Sequence, residues 1–502
     1  MLLRSIATVG GYTLASRFVG FLRDLLFAAI LGAGPIADAF VVAFRLPNLF
    51  RALSAEGAFS AAFVPIYSRL LIDGRVVAQR FAEDTLAVMV AILTVAVIIG
   101  EWAMPWIMRG LAPGFADQPA QMALVIELGR ITFPYLLLIS LTAFQGAVLN
   151  AHGRFAAMAA APILLNLALL GFPPALLYFG IDDPHAFAWA VIAGGVFQFL
   201  FLAFVCHREG IHLRLPRPSF GPNVRRLFRR MGPGVIGAGV TQLNLVVGTI
   251  LATLIADGAV SYLYYADRLS QLPLGVVGTA VGTALLPLLS SELKTDPAKA
   301  LASHNRAIEA ALLLALPAAA GLAALSEPIV VALFQRGAFG AAEARATAEA
   351  VAVYSLGLPA FVLVKALTPG FLAREDTATP VKLGMIAIVV NLALNLALMR
   401  PLGHVGIALG TSAAAWVNVA LLWGMLARRG DFALDARARR TMPRLVFVSA
   451  AMGLAVWAAQ PYVPKGTLGL VVLIPLGGLL FAGLAQLTGA ASLADLRRAF
   501  RR

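Results

Sequence analysis

The chain is 502 residues long, and its composition is that of a protein whose main solvent is lipid. Apolar residues make up 60% of the sequence and charged residues only 13%, with a mean hydropathy of +0.86. A soluble globular domain carries about 45–50% apolar and about 25% charged residues. The net charge of +14 does not indicate nucleic acid, because the basic residues gather in short loops between long apolar blocks. These features predict an all-α, polytopic membrane protein.

The first apolar block, residues 5–31, is expected to remain as a membrane helix. Arg17, Arg23 and Asp24 interrupt it, and no small-residue cleavage site follows, so it does not match a cleavable signal peptide. A single cysteine, Cys206, excludes an intramolecular disulfide, and no Cys/His cluster has metal-ligand spacing. We therefore expect neither a metal nor a cofactor.

The remaining apolar blocks continue this pattern and predict fourteen transmembrane helices in all. They cover residues 5–31, 36–70, 84–109, 123–150, 156–180, 185–207, 233–256, 260–292, 304–335, 346–372, 380–400, 403–427, 443–462 and 467–488. The second and eighth are too long for simple spans, and each contains two prolines that bend it. About 27 of the 39 basic residues fall on the side of the membrane that holds both termini. The positive-inside rule therefore predicts that both termini are cytoplasmic.

The basic stretch 222–231, ahead of the seventh span, has two interpretations of equal weight. It is either an amphipathic helix lying on the inner leaflet or an ordinary positive-inside loop. Binding of anionic membrane lipids is expected as a by-product of such basic loops.

A weak internal repeat relates the two halves of the chain. Three short segments recur in the same order, 43–46 with 266–269, 62–65 with 284–287, and 163–169 with 388–394. The offset stays near 222–225 residues, and six helices per repeat predict two lobes of the same orientation. The expected organisation is two pseudo-symmetric six-helix lobes at 1–220 and 221–430, followed by two additional helices and a basic tail at 431–502.

Ionisable side chains inside the spans are the strongest functional signal. Each arginine or aspartate at a helix centre costs about 2.5–3.5 kcal/mol, so such residues normally face a wet cavity and mark function. In the first helix, Ser16, Gly20, Arg23 and Asp24 share one face, with Arg17 beside it. Three charges there would cost on the order of 8–10 kcal/mol if they faced lipid. We expect them to face the protein interior.

Cations outnumber acids among these intramembrane residues, whereas a purely structural network would tend toward balance. Residues adjacent in sequence do not face each other on a helix, so Arg23 is expected to pair poorly with Asp24. The planar fork of arginine binds phosphate or carboxylate bidentately, so the site suits a pyrophosphate with neighbouring carboxylates. The predicted substrate-binding residues are Arg17, Arg23, Arg45, Arg51, Arg268 and Lys365, and the predicted orienting or gating residues are Ser16, Asp24, Asp38, Glu56 and Asp267.

The same residues carry a recognisable signature. Its segments are SRxxGFxRD at 16–24, GAG with DAF at 32–40, LPNLxR at 46–51, EGAFSxAFxP at 56–65, ADRL at 266–269, FxxGxF at 334–339 and PGF at 369–371 with TP at 379–380. On these segments the chain closely resembles the bacterial lipid II flippases, the MviN/MurJ family of the multidrug, oligosaccharidyl-lipid and polysaccharide exporter superfamily.

The resemblance implies a two-lobe, alternating-access flippase of the bacterial inner membrane. Its substrate would be lipid II, the undecaprenyl-pyrophosphate-linked disaccharide pentapeptide of peptidoglycan biosynthesis, and the cell wall synthesis machinery would be a partner. In the family, the positions matching Arg17, Arg23, Arg51 and Arg268 look essential and line a central cavity. The last two helices would form a groove for the lipid tail.

Some family members bind sodium through carboxylates on the seventh, eleventh and twelfth helices. Here Asn391, Asn395 and Thr411 are the only weak candidates, and these spans contain no internal Asp or Glu. A hard cation prefers anionic oxygens, so no metal site is predicted. Both asparagines fit equally well as hydrogen bonders between packed helices.

Three other functions compete with the flippase. An exporter of another polyprenyl-linked oligosaccharide would use a similar cationic site. A cation or drug antiporter of the same superfamily would need more acid than base in its cavity, opposite to the excess here. A membrane enzyme that polymerises lipid-linked sugars needs carboxylates on a sizeable outer loop, and the predicted outer loops have about 3–15 residues. We therefore predict a transporter and no enzyme.

Overall fold

The structure is a computed structural model, and it describes residues 2–54, 58–181, 183–464 and 466–491. Over these ranges the chain forms sixteen α-helices, two single-turn 3-10 helices and no β-strand, which confirms the predicted all-helical class. The α-helices are α1 (Leu2–Leu31), α2 (Pro35–Ser54), α3 (Ala58–Asp73), α4 (Arg75–Leu111), α5 (Pro119–Thr132), α6 (Tyr135–Ala151), α7 (Ala156–Tyr178), α8 (Ala186–Arg208), α9 (Pro222–Thr253), α10 (Ala259–Thr295), α11 (Pro297–Ala324), α12 (Ser326–Phe334), α13 (Ala341–Leu372), α14 (Ala378–Arg428), α15 (Ala436–Ala459) and α16 (Thr467–Leu487).

Much of the helical surface suits contact with lipid. Nine helical segments of the described chain are long and apolar enough to cross a membrane. Large apolar side chains cover their outer faces; Trp102 on α4 is 72% exposed and Leu479 on α16 is 73% exposed. Apolar exposure of this extent marks a surface that meets lipid rather than water. The chain is therefore a multi-pass α-helical membrane protein.

Backbone chemistry decides where the long helical segments break. Within α14, Gly403 has φ 58° and ψ −137°, so α14 consists of two helices that meet at this residue. A positive φ favours glycine, because any Cβ would be strained there. The break coincides with the boundary predicted between the spans 380–400 and 403–427. The predicted span 123–150 is likewise two helices, α5 and α6, which meet at Pro134.

The chain divides into two compact units, Met1–Val260 and Ser261–Arg502. In the first unit, α9 packs against α2, α3 and α4. In the second unit, α11, α13, α14, α15 and α16 share one core built around Phe371, Leu426 and Phe432. The lobes that the repeat suggests, 1–220 and 221–430, stay a prediction.

The basic stretch 222–231 forms the first turns of α9. Its apolar residues Val224 and Leu227 are buried in a cluster with Phe63, Phe81 and Phe144 from α3, α4 and α6. The arginines of these turns remain exposed. The stretch is therefore an amphipathic helix whose apolar residues Val224 and Leu227 pack on protein.

Candidate functional site

The first part of the predicted site lies on α1, where Arg23 contacts its neighbour Asp24. Arg23 Nη2 lies 2.6 Å from Asp24 Oδ1, and Nε donates to the same oxygen at 3.0 Å. Asp24 is only 3% exposed, so the pair lies inside the helical packing. The expectation that these neighbours would pair poorly is wrong, because the long, flexible arginine stem folds back along the helix to reach the carboxylate.

Asn166 of α7 completes this group and links it across two helices. Arg23 Nη1 donates to Asn166 Oδ1 at 2.9 Å, and Asn166 Nδ2 donates to the backbone carbonyl of Ser16 at 3.2 Å. Gly20 lies beside this contact, where a Cβ would stand 3.4 Å from Asn166 Nδ2, an ordinary van der Waals distance. In the sequence, Asn166 stands out only as part of the internal repeat, which does not predict its contact with Arg23. The available signal was a lone amide in an otherwise apolar helix.

Two further predicted cations lie on α2 and have partners of their own. Arg45 Nε donates to Thr249 Oγ1 of α9 at 3.1 Å, and Arg51 Nε donates to Asn48 Oδ1 at 3.2 Å. Both arginines are half-buried. A hydroxyl and an amide oxygen thus help to orient these two side chains.

Asp38 binds the main chain at the turn before α10. It is fully buried at the start of α2, and its Oδ2 accepts a hydrogen bond from the backbone N–H of Gly258 at 2.7 Å. The contact fixes the turn between α9 and α10. Asp38 thus has an orienting role, although its described hydrogen-bond partner is the main chain.

Three further residues of the first unit were predicted to belong to the site, namely Ser16, Arg17 and Glu56. Ser16 takes part through its carbonyl oxygen. Arg17, one residue along α1, is exposed. Glu56 lies outside the described residues.

In the second unit, the predicted residues occupy two places on α10. Asp267 accepts a hydrogen bond from Gln271, and the guanidinium of Arg268 lies 4.8 Å from the centroid of the Tyr264 ring, a cation–π contact. Lys365 of α13 lies against Gly278, where a Cβ would come within 2.8 Å of Lys365 Cδ. Arg268 and Gly278 are ten residues apart on α10, about 15 Å of helix rise.

The weak sodium candidates form an amide pair on one helix. Asn395 Nδ2 donates to Asn391 Oδ1 at 2.8 Å, one turn earlier on α14, and both residues are buried. Thr411 is half-buried. Across the described ranges, no group of three or more His, Cys, Asp or Glu side chains is arranged to hold a metal ion. The geometry is that of hydrogen bonding within a helix bundle.

These contacts define a class of protein. Intramembrane charges are costly and mark paths for substrates or ions. Here the cations Arg23, Arg45 and Arg51 are held by carboxylate, hydroxyl and amide partners inside a multi-pass helical unit. Such an arrangement is typical of a membrane transporter for an anionic ligand.

Comparison with known proteins identifies the family. The family model described as lipid II flippase MurJ matches residues 27–477. A probable lipid II flippase MurJ of Rhizobium tropici is 42% identical over 522 residues, covering 100% of this chain and 97% of the relative. The lipid II flippase MurJ of Burkholderia cenocepacia is 36% identical over 465 residues, covering 91% and 90%. The chain belongs to the lipid II flippase MurJ family, which confirms the resemblance of its motifs.

Solved structures agree with the fold. A structure described as lipid II flippase MurJ, inward closed conformation, has a TM-score of 0.81 at 23% identity and covers 98% of this chain and 99% of that chain. An inward-facing multidrug resistance MATE family transporter of the MOP superfamily has a TM-score of 0.71 at 16% identity, covering 83% and 95%. At these identities the likeness concerns the fold alone.

Proposed function

We propose that this protein is a lipid II flippase of the bacterial inner membrane. It moves undecaprenyl-pyrophosphate-linked disaccharide pentapeptide from the inner to the outer leaflet by alternating access, without changing the substrate chemically. Family membership supports the substrate class. The observation that carries the mechanism is Arg23, whose guanidinium is held inside the first unit by Asp24 and Asn166.

A pre-oriented guanidinium favours binding of a pyrophosphate. Because Asp24 and Asn166 already fix its rotamer, less side-chain entropy is lost when the ligand arrives. Arg45 and Arg51, each oriented by a neutral group, add positive charge in the same unit. We extend the proposed substrate site to the other predicted cations, which are Arg17, Arg268 and Lys365.

We also propose fourteen spans with both termini in the cytoplasm. The nine apolar segments become ten when α14 is divided at Gly403, and α1, α2 with α3, α9 and α10 supply the other four. The excess of Arg and Lys on one side supports the orientation. Labelling with an impermeant thiol reagent tests it, using single cysteines at 117 and 219 in a Cys206→Ala background. Position 117 should react from outside intact spheroplasts, and reaction of 219 instead would reverse the orientation.

Headgroup translocation in proteoliposomes tests the function. Purified protein should expose fluorescent lipid II to an external reagent, and Arg23→Lys and Arg51→Lys should each lower the rate about tenfold or more, because lysine keeps the charge but loses the planar fork. Arg225→Lys, on the exposed face of α9, is the matched control and should transport normally.

Two results would contradict this proposal. Wild-type rates in both lysine variants would show that a simple positive charge is sufficient. Equal transport of a polyprenyl-linked sugar that lacks the pyrophosphate would show that the arginine site does not select the substrate.

A further inference from the structure

An acidic side chain that the proposed transport site does not use lies inside the long apolar helix α4. Glu101 is the only charged residue between Asp84 and Arg109. It precedes the end of α4 at Leu111 by ten residues, about 15 Å of helix rise. Ionisable residues at such a depth of a membrane helix are rare, and they normally mark paths for substrates, ions or protons.

The charged neighbour of Glu101 is Arg130 on the next helix, α5. Arg130 follows the first residue of α5, Pro119, by eleven residues, about 16–17 Å of helix rise. The two charges are therefore at similar distances from the short connector that joins α4 to α5. They interact electrostatically, and Glu101 is half-buried whereas Arg130 is exposed.

Two glycines bring the helices close together at this place. A Cβ at Gly100 would lie 2.1 Å from Phe133 Cε1, and a Cβ at Gly129 would lie 2.6 Å from Met108 Cε. Each glycine immediately precedes one of the two charged residues. Glu101 and Arg130 thus lie at the edge of a tight contact between α4 and α5.

One oxygen of the Glu101 carboxylate is desolvated without compensation. Its Oε1 is buried and accepts no hydrogen bond from the described residues. A charged carboxylate is costly in such a place, and protonation removes the charge. A hard metal cation would instead need several oxygen ligands, and no group of three acidic, His or Cys side chains among the described residues is arranged to hold one.

The other helices packed against α4 bring little charge near Glu101. They are α3, α6 and α9, together with the single turn Pro113–Phe115. The charges of α3 are at its far end, those of α9 are in its first turns at 225–230, and the other two elements have none. On α5, Glu127 Oε2 lies 3.1 Å from His185 Nε2, and on α4 itself Arg109 is two turns away. Arg130 is therefore the charge placed to act on Glu101.

Phe133 connects this place with the proposed substrate site. Its ring fills the space beside Gly100 and meets the ring of Phe50 edge-on, with 6.1 Å between the centroids. Phe50 lies on α2 and immediately precedes Arg51, one of the predicted substrate-binding residues. A shift of α4 against α5 therefore has a packed route to the transport site.

We propose that Glu101 is a proton-binding site and that its protonation is coupled to the transport cycle. A proton from water, entering from the side of the membrane at which α4 ends, bonds to a carboxylate oxygen and gives a neutral acid. No other bond changes. Arg130 then loses its counter-charge, which alters the contact between α4 and α5. The coupling rests on the proposed function, whereas proton binding itself does not.

Infrared difference spectroscopy of the full-length protein in lipid tests proton binding. Exposed glutamates are ionised at about pH 6. Wild type at that pH should show the carbonyl band of a protonated acid that Glu101→Gln lacks, and the band should disappear at alkaline pH. In Arg130→Gln the band should persist to higher pH, because the cation that favours the carboxylate is gone. Glu327→Gln, which removes an exposed carboxylate, is the matched control and should keep the band.

Lipid II translocation in proteoliposomes without a membrane potential tests the coupling. The wild-type rate should change about threefold or more when the pH on one side is shifted from about 6 to about 8. Glu101→Gln imitates the protonated acid permanently and should transport without this response. Glu327→Gln should respond like wild type.

Two outcomes would overturn the proposal. Identical infrared bands in wild type and Glu101→Gln would show that Glu101 binds no proton in this range. An unchanged pH response of transport in Glu101→Gln, or an equal loss in Glu327→Gln, would show that its protonation is not coupled. A wild-type protein that shows the band but moves no lipid II would contradict the proposed function and leave the proton site in place.

Discussion

The interior of α1 and the helix ends of the second unit use charged residues differently. In the first unit, Arg23 and Asp24 pair within the helical packing, and Asp24 is 3% exposed. In the second unit, three ion pairs join helix ends and connecting segments, namely Arg306–Asp435, Arg374–Asp431 and Arg429–Asp376. A charge inside the membrane is expensive, whereas a hydrated pair at a helix end costs and contributes little. We therefore infer a functional role for the interior pair and a structural role for the peripheral pairs.

Asn166 and Asn391 occupy matching positions of the internal repeat but have different partners. Asn166 accepts a hydrogen bond from Arg23, whereas Asn391 accepts one from Asn395 on its own helix. The same residue type thus orients a cation in one unit and joins two helical turns in the other. A repeat in sequence does not by itself fix the role of its members.

The largest expected effect is the loss of the buried carboxylate. Asp24→Ala would leave Arg23 charged without its carboxylate partner, and breaking a buried pair in this way costs about 3–5 kcal/mol. Asp431→Ala removes a partner from the more exposed pair with Arg374 and should cost about 0.2–1 kcal/mol. Thermal unfolding in detergent measures both. Equal losses of stability would remove the distinction between interior and peripheral pairs.

A smaller effect is expected at the repeat-related asparagines. Asn166→Leu should destabilise the protein by about 0.6–1.7 kcal/mol, the scale of a hydrogen bond between membrane helices. Asn391→Leu removes a bond within one helix and should cost about 0.2–0.5 kcal/mol. Only Asn166→Leu should also slow lipid II translocation in proteoliposomes, because it releases the Arg23 guanidinium. Asn166→Gln keeps an amide that can accept from Arg23 and should transport faster than Asn166→Leu. Equal rates in the two leucine variants would show that Asn166 does not position Arg23.

The smallest expected effect lies at His185, the residue that precedes the apolar segment Ala186–Arg208. His185 Nδ1 lies 2.7 Å from Asp183 Oδ1, and Nε2 lies 3.1 Å from Glu127 Oε2. Burial acts against the charged form, but the hydrogen bonds to Asp183 and Glu127 outweigh it and raise the pKa of His185 above 6.5. The contribution of this group to stability is therefore complete below about pH 6.5 and is lost as the pH rises through the raised pKa.

His185→Gln should accordingly lower the unfolding temperature most at about pH 6 and much less at about pH 9, by the equivalent of under 1 kcal/mol, since the cluster is partly exposed. His207→Gln, at the exposed end of α8, is the control. A pH-independent difference between wild type and His185→Gln would contradict the protonation of His185 as its cause.

The sequence by itself determined the membrane class, the family, the boundary between the spans 380–400 and 403–427 and the intramembrane cations, because these follow from composition, motifs and the cost of burying charge. It did not predict the partners of those cations. Arg23 contacts a residue 143 positions away, Arg45 one 204 positions away, and Asp38 one 220 positions away. Only the packing of distant helices brings such groups within hydrogen-bond distance, so the tertiary structure decided which amide, hydroxyl or backbone group orients each charge.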